Sequence, residues 1–564
     1  MFFGLETTSS VFCSMNPMIA RWISPGLFPW VLGGLAGLAW WLSFPPHDFL
    51  PLSWVALIPL LWVVDHTRRP LPVIFGAACL AFGLSTWWVY RAALIGAVAG
   101  VVANALYLTL AVMFYAWLQK AGSLATDKKV WLQWLAWVSP WLAMEYVHQR
   151  IDLDFPWMLL GHAPANHPWW IQYYEWTGVA GGSLWILSVN FWLYQTVMQR
   201  RQAKLWAALW LLIPAAVSVG LYQFRENTKF RENTQEPSIR VLAVQPNLDP
   251  YRVKFEPSTY AEQMRIFLKC TDSLEGTGLV VWPETALPDY WVLGDGAPKN
   301  PWLDTLQNYV RNRPGLALMT GASVVQLHGQ RSGSPTYTFY NSALGLGSVD
   351  SSEPPNMNST PALYHKSKLV IGVEKLPYPM VFNAIARWIS VDLGGMTGQL
   401  GTQPERTPLM MGWISKDPVA QGRSERIPLK VAPMICYESI FGAYCGGFVN
   451  NGANLLAVMT NDGWWGETDG HRQHLAYARL RCIEQRRSMI RSANTGISAL
   501  IDHRGEFVDT LGWGRRGVVQ GRLQLRNEPT LYAKYGDVLG RLSCVFTVLF
   551  GLLYGVRTLM KNRA

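Results

Sequence analysis

The sequence predicts two parts: an α-helical membrane domain of about eight transmembrane helices, and a mixed α/β domain inserted before the last of them. Three observations point there. Eight apolar runs stand near 27–44, 50–64, 72–90, 93–118, 130–148, 169–197, 204–222 and 538–557, each near the ~20 residues that a bilayer core requires. Basic residues cluster in alternate loops between them. From Ser238 the texture changes to short β-rich runs separated by helical or loop segments, and this continues to about residue 527.

In chain order, an N-terminal segment (1–25) precedes a transmembrane domain of seven runs (26–222). The second run is short, and the fourth and sixth are long. Positive charge in short loops marks the cytoplasmic side of a membrane protein. DHTRRP (65–70), the segment 120–129, QRRQAK (199–204) and the tail 557–563 are basic, whereas FPPHDFL and Tyr90-Arg91 are poor in basic residues. This pattern puts the α/β block on the outer face and both termini inside. The first apolar run continues without a small-residue cleavage site, so no cleavable signal peptide is expected. FRENTKFRENT, a short direct repeat within 223–237, reads as a polar linker. The block 238–527 follows with IRVLAVQPN, GLVVWPETALP, LALMTGASVV, LLAVMTNDG and ISALIDHRG, and 538–557 is the last apolar run.

Composition narrows the classes further. Half of the residues are hydrophobic and 29 are tryptophan, yet 15% are charged, which suits neither a uniformly soluble protein nor a pure transporter. The net charge of +11 gathers beside apolar runs, as at Arg68-Arg69, Lys128-Lys129 and Arg200-Arg201. It reads as a topology signal and not as a nucleic-acid surface. The seven cysteines, at 13, 79, 270, 436, 445, 482 and 544, form no CxxC pair, and no histidine stands at zinc-finger spacing. No disulfide framework, metal site or cofactor is expected.

Three reactive groups in the α/β block stand where a strand-like run gives way to a loop, a usual address for catalytic side chains on a rigid scaffold. Glu284 follows Pro283 in VVWPETALP, Lys366 precedes the strand-like run of YHKSKLVIGVEK with Glu374 eight residues on, and Cys436 ends LKVAPMI. A glutamate can take a thiol proton. A nearby ammonium favours thiolate and can stabilise an oxyanion. The alternative is separate fates: a cap, a surface lysine and a core cysteine.

WPET, YHK and ICYE, in that order, resemble the Glu-Lys-Cys triad of the nitrilase, or carbon-nitrogen hydrolase, superfamily. With seven preceding runs and one following, the chain from about residue 25 is similar to the family of bacterial apolipoprotein N-acyltransferases. Further matching text is VQPN (244–247), FPW then LLG (155–161), NDGWWG (461–466) and RSANTGIS (491–498). The resemblance implies a nitrilase-like α-β-β-α sandwich, with Glu284 as base, Lys366 as oxyanion-stabilising cation and Cys436 as nucleophile. Glu374, Tyr437 and Glu438 would be supporting residues; Glu438 would help set the environment of the thiol, and the plainer reading, a strand-end carboxylate bonding nearby backbone amides, can hold beside it. LVIGVE stands where many members read LVPFGE, and Phe255 stands where many carry tryptophan after a lysine. The surroundings of Glu374 and the aromatic contribution at Phe255 therefore stay open.

The implied reaction has two steps. Cys436 would take the sn-1 acyl chain of a phospholipid as a thioester, and the α-amine of the diacylglyceryl-cysteine of an apolipoprotein would then accept it. The implied location is the bacterial inner membrane, with the catalytic domain periplasmic. A membrane-tethered amidase acting on a small amide, and a lipid-binding scaffold without activity, are the alternatives. Two further readings concern the surroundings of the site. PMVFNAIARWISVDL (379–393) places Val381, Phe382, Ile385, Trp388 and Ile389 near helical spacing, which suggests an amphipathic arm on the bilayer. His471, Arg472 and His474 read as surface residues of a helix rather than a substrate-facing cluster.

Overall fold

The computed structural model describes residues 24, 26–92, 94–120, 130–199, 202–231, 237–294, 297–331, 334–350, 361–378, 400–415 and 426–561. The proposed arm at 379–393 lies outside them. The apolar runs coincide with helices at Phe28–Ser43, Ile58–His66, Leu71–Thr86, Leu94–Lys120, Val130–His148, Val179–Val197, Ala203–Arg231 and Val538–Lys561. Among the described residues, four helical stretches are long and apolar enough to cross a membrane: Leu71–Arg91, Leu94–Lys120, Ala203–Phe224 and Val538–Val556.

The others fall short for visible reasons. Val130–His148 carries four tryptophans and buries Gln133, Ser139, Glu145 and His148. The sixth run is broken: Pro168 opens a short 3-10 turn, and Gly178 at φ 63° precedes the helix, which starts only at Val179. The stretch 223–231, read as linker, is helical to Arg231. No glycine or proline interrupts the chain between Gly220 and Pro237, so nothing stops the helix where its apolar face ends.

Leu94, Val98, Val102, Leu106 and Leu110 are exposed along one helix, as are Leu542, Val545, Leu549, Leu552 and Val556 along the last. Such apolar stripes suit lipid contact. Where helices meet, small residues permit close approach. A Cβ on Gly37 would lie 2.7 Å from the Ala77 carbonyl oxygen, so Phe28–Ser43 packs closely on Leu71–Thr86 only with glycine there.

The α/β part contains two sheets. Its described strands are β1 (Ser238–Gln245), β2 (Gly278–Val281), β3 (Tyr290–Leu293), β4 (Leu316–Arg331), β5 (Ser334–Gly347), β6 (Ala362–His365), β7 (Leu409–Ser415), β8 (Arg426–Ile435), β9 (Leu455–Thr460), β10 (Met489–Ala493), β11 (Ser498–Ile501), β12 (Phe507–Leu511) and β13 (Gly517–Gln524). One sheet runs β13-β1-β2-β4-β5-β6 with β3 beside β4; the other runs β12-β11-β10-β9-β8-β7. Side-chain alternation makes the sandwich. Val241 and Ala243 of β1 join the core shared with Val431, Val458 and Ile490 of the second sheet, whereas Leu242 and Val244 face Met264, Phe267 and Leu306 of the outer helices.

One of those helices, Pro301–Arg311, shows how the sequence specifies its element. Asn300 caps Trp302 and Leu303 N–H, Pro301 sits at the first position, Asp304 and Arg311 complement the dipole, and Leu303, Leu306 and Val310 are buried. On the second sheet the covering helices are Gly442–Asn450 and Asp469–Gln485.

Asp469–Gln485 also seats this domain on the membrane part. The buried Gln473 accepts hydrogen bonds from Trp88 Nε1 (3.1 Å) and Trp157 Nε1 (2.7 Å), and donates to the carbonyls of Pro45 (2.9 Å) and Ser85 (3.1 Å). Glu484 accepts from Val179 N–H at 3.2 Å.

Candidate active site

Strand β8 ends at Ile435, and Cys436 turns the chain at φ 50°, a left-handed conformation that costs a non-glycine residue energy unless its surroundings hold it. Glu438 does part of that: its Oε2 accepts from Ile435 N–H at 2.9 Å. Its Oε1 accepts from Ser367 N–H (2.7 Å), Lys368 N–H (3.3 Å), Tyr364 Oη (2.9 Å) and Tyr444 Oη (2.5 Å). These contacts match the strand-end reading of Glu438, a carboxylate binding nearby backbone amides, which stands beside its supporting role at the thiol. It ties the Cys436 turn to the chain that follows Lys366.

Lys366 comes directly after β6, in register because its N–H bonds the Asn341 carbonyl at 2.8 Å. Its ammonium is buried and donates to Glu284 Oε1 (3.2 Å) and Glu374 Oε1 (2.9 Å). Asn341 of β5 bridges the same two carboxylates, 2.8 Å from Glu284 Oε1 and 3.1 Å from Glu374 Oε1. Glu284 lies past β2, where its backbone rests against Gly321; a Cβ there would come within 2.7 Å of Glu284 Cα. The strand expected after Lys366 is instead a turn with a single bridge, Ile371 to Lys375. Gly372 at φ 78° and the bond from Val370 N–H to Glu374 Oε2 (2.8 Å) close it. The LVIGVE wording thus still delivers Glu374 to Lys366.

The charges follow from burial against pairing. Burial would raise the Glu284 carboxyl, but Lys366, Lys254 and Asn341 outweigh it and hold it below the usual range. Burial would lower the Lys366 ammonium, but Glu284 and Glu374 outweigh it and raise it. The Cys436 thiol is pushed up by burial and by Glu284, with Lys366 and a Thr460 hydrogen bond opposing. The resting arrangement is a carboxylate, an ammonium and a protonated thiol. It can pass the thiol proton to Glu284 during attack rather than before it.

Sequence reasoning missed several partners. Lys254 is buried and donates to the Glu284 carbonyl at 2.7 Å; burial brings its ammonium down to about 8. The neighbouring Phe255 stacks on Trp464 at 6.2 Å, so aromatic contact persists there. His471 and His474 are buried, contrary to the surface reading, and only Arg472 of that trio is exposed. His474 Nδ1 meets Asp462 Oδ1 at 3.0 Å, and its Nε2 meets the Cys436 carbonyl at 3.1 Å. Asp462 also binds Arg491 at 2.7 Å. The histidines look like surface residues in sequence because the helix Asp469–Gln485 is polar, yet it is buried between the sheet and the membrane part. Asp462 lay in the quoted NDGWWG, which was a usable signal. Tyr437 donates its hydroxyl to the Asp154 carbonyl.

Two stacked sheets with Glu284, Lys366 and Cys436 at strand ends define the carbon-nitrogen hydrolase class, and the family model described as Carbon-nitrogen hydrolase matches residues 240–528. A second model, described as Apolipoprotein N-acyltransferase N-terminal domain, matches residues 36–192. The apolipoprotein N-acyltransferase of Chlorobaculum tepidum is 30% identical over 94% of this chain and 97% of its own length. That of Azotobacter vinelandii is 28% identical over 91% and 93%. The chain therefore belongs to the apolipoprotein N-acyltransferase family and is a membrane-associated acyltransferase. Among solved structures, Saccharomyces cerevisiae Nit3 of the nitrilase superfamily aligns over 52% of this chain and 92% of its own, with 15% identity and a TM-score of 0.33.

Proposed function

We propose that the protein transfers the sn-1 acyl chain of a membrane phospholipid, through a thioester on Cys436, to the α-amine of the diacylglyceryl-cysteine at the N-terminus of apolipoproteins. The observation that supports this reading best is the buried cluster of Glu284, Lys366, Glu374 and Asn341, whose Glu284 and Lys366 act electrostatically on the Cys436 thiol, in a domain seated on membrane helices. In the first step Glu284 takes the thiol proton as sulfur attacks the ester carbonyl. Lys366 stabilises the oxyanion, and Glu284 returns the proton to the departing lysophospholipid hydroxyl. In the second, the amine attacks the thioester, and its proton passes by way of Glu284 to the leaving Cys436 sulfur. A thioester suits the relay because thiolate leaves more readily than alkoxide.

The reading further assigns a membrane domain (26–222 and 538–557) of eight crossings and a catalytic domain (238–527) on the periplasmic side of the inner membrane. Alternating basic loops support that orientation. A reporter fused after Gln223 is expected to be active outside and one fused after Ala564 inside; reversed signals would overturn the topology.

The function is tested by incubating the purified protein with phospholipid alone and then with a diacylglyceryl-cysteine peptide. Intact-protein mass should rise by one acyl group on Cys436 and fall back when the peptide is added. Turnover of a small amide without any acyl-enzyme would favour the tethered amidase, and silence in both assays would favour the scaffold.

A further inference from the structure

The turn that carries both Lys366 and Glu374 bonds to β5 through Lys366 N–H and is closed by local bonds such as Gly372 N–H to the Lys375 carbonyl (2.8 Å) and Glu374 N–H to the Val370 carbonyl (2.9 Å). Among the described residues between β6 and residue 378, its only ladder contact is the bridge from Ile371 to Lys375. Side chains fix it further against its surroundings, and two of them come from the membrane part. The loop QRIDLDFPW (149–157), which follows the helix Val130–His148, reaches this turn with two carboxylates.

Asp154 has a side chain 2% exposed. Its Oδ2 accepts from Lys368 Nζ at 2.8 Å, its Oδ1 from Lys375 Nζ at 2.9 Å, and its carbonyl from the Tyr437 hydroxyl. Asp152 adds a contact to Lys375 Nζ at 3.3 Å and accepts from Tyr378 N–H at 2.6 Å. Lys368 also donates to the Gln149 carbonyl at 3.1 Å and lies 4.4 Å from the Phe441 ring centre, at the end of the nucleophile's turn. Lys368 is two residues from Lys366, Lys375 is next to Glu374, and Tyr437 is next to Cys436. The Asp154 carboxylate thus holds two lysines close in sequence to Lys366 and Glu374, while its backbone carbonyl holds the residue next to Cys436.

We propose that Asp154 is a positioning residue: a clamp from the membrane domain that holds the Lys366–Glu374 turn in register with the Cys436 turn. The clamp rests on the assignment of Cys436 as nucleophile. Two physical reasons favour it over a plain interdomain staple. A misplacement of ~1 Å in a reacting group can cost ~10²-fold in rate, and past Lys366 the described part of this turn has a single bridge in place of continuous strand pairing. A carboxylate this buried, with two ammonium partners, also holds a narrow geometry, because loss of either side leaves a charge poorly solvated. The membrane domain on this view completes the active site as well as anchoring it.

The test uses the full-length protein in lipid nanodiscs, with Asp154→Asn, Asp154→Glu, Lys375→Met and the double variant Asp154→Asn/Lys375→Met. Three quantities are measured: the rate of Cys436 alkylation by iodoacetamide, mapped by peptide mass; acylation by phospholipid at saturating and limiting concentration; and Tm. Asp154→Asn should slow alkylation and the saturated acylation rate together by about 10–100-fold, with the half-saturating phospholipid concentration unchanged. Asp154→Glu should recover part of the loss, and the double variant should be no slower than the worse single one. The clamp is overturned if Asp154→Asn stays within about twofold of the parent, if the two single losses multiply, or if every loss simply tracks a lowered Tm that Asp154→Glu fails to restore. Acylation of the parent by phospholipid at a cysteine other than 436 would instead overturn the nucleophile assignment, and the clamp with it.

Discussion

Cys436→Ala is expected to leave the intact mass unchanged after incubation with phospholipid and to remove acyl transfer altogether, a loss on the order of 10⁶-fold, the scale of deleting a catalytic nucleophile. The side chain is small and already buried, so alanine should fold normally in its place. Cys436→Ser separates the two steps. A hydroxyl has a far higher pKa than a thiol, and Glu284 already faces a thiol that burial has pushed up. Serine should therefore acylate slowly, and the ester it forms should release little amide, because alkoxide is the worse leaving group. Mass spectrometry before and after addition of the diacylglyceryl-cysteine peptide reads both steps. Normal transfer by Cys436→Ala would sink the mechanism.

Glu284→Gln should fail before acylation, by about 10²–10⁴-fold, the usual contribution of a general base. Glutamine keeps the shape but cannot take the thiol proton, and it removes one of two carboxylates that hold Lys366. The pH profile carries a second expectation. A carboxyl held below the usual range by Lys366, Lys254 and Asn341 against burial stays ionised through neutral pH, and acylation declines only as pH falls through that lowered value. Lys366→Met removes the main opposing charge, so burial prevails and the acidic limb should move to higher pH. Single-turnover acylation between about pH 4 and about pH 8, a range set by ordinary carboxylate and histidine values, would reveal it. An unmoved limb would mean that another group serves as base.

Much of this was legible in the sequence because the signals are local. Apolar runs and short β-rich segments each report on a stretch of chain that forms its helix or strand with little help. WPET, YHK and ICYE likewise mark strand ends, where the backbone itself delivers the side chain, and Glu284, Lys366 and Glu374 do meet. Local reading failed where packing overrode it. Pro168 and Gly178 broke one apolar run, and Glu374's bond to Val370 N–H made a turn from strand-like text. The polar helix with His471 and His474 proved buried, with polar partners from the membrane part and from the turn after β9 bonding to it.

The sequence by itself determined the division into helical and α/β parts and singled out Glu284, Lys366 and Cys436 as the candidate reactive residues. Only the tertiary structure decided what surrounds them. Asn341 reaches Glu284 across 57 residues, His474 reaches Ser439 across 35, and Tyr437 reaches Asp154 across 283. Hydrogen bonds and ion pairs act over a few ångströms in space, and no periodicity along the chain records which distant segments folding will bring that close.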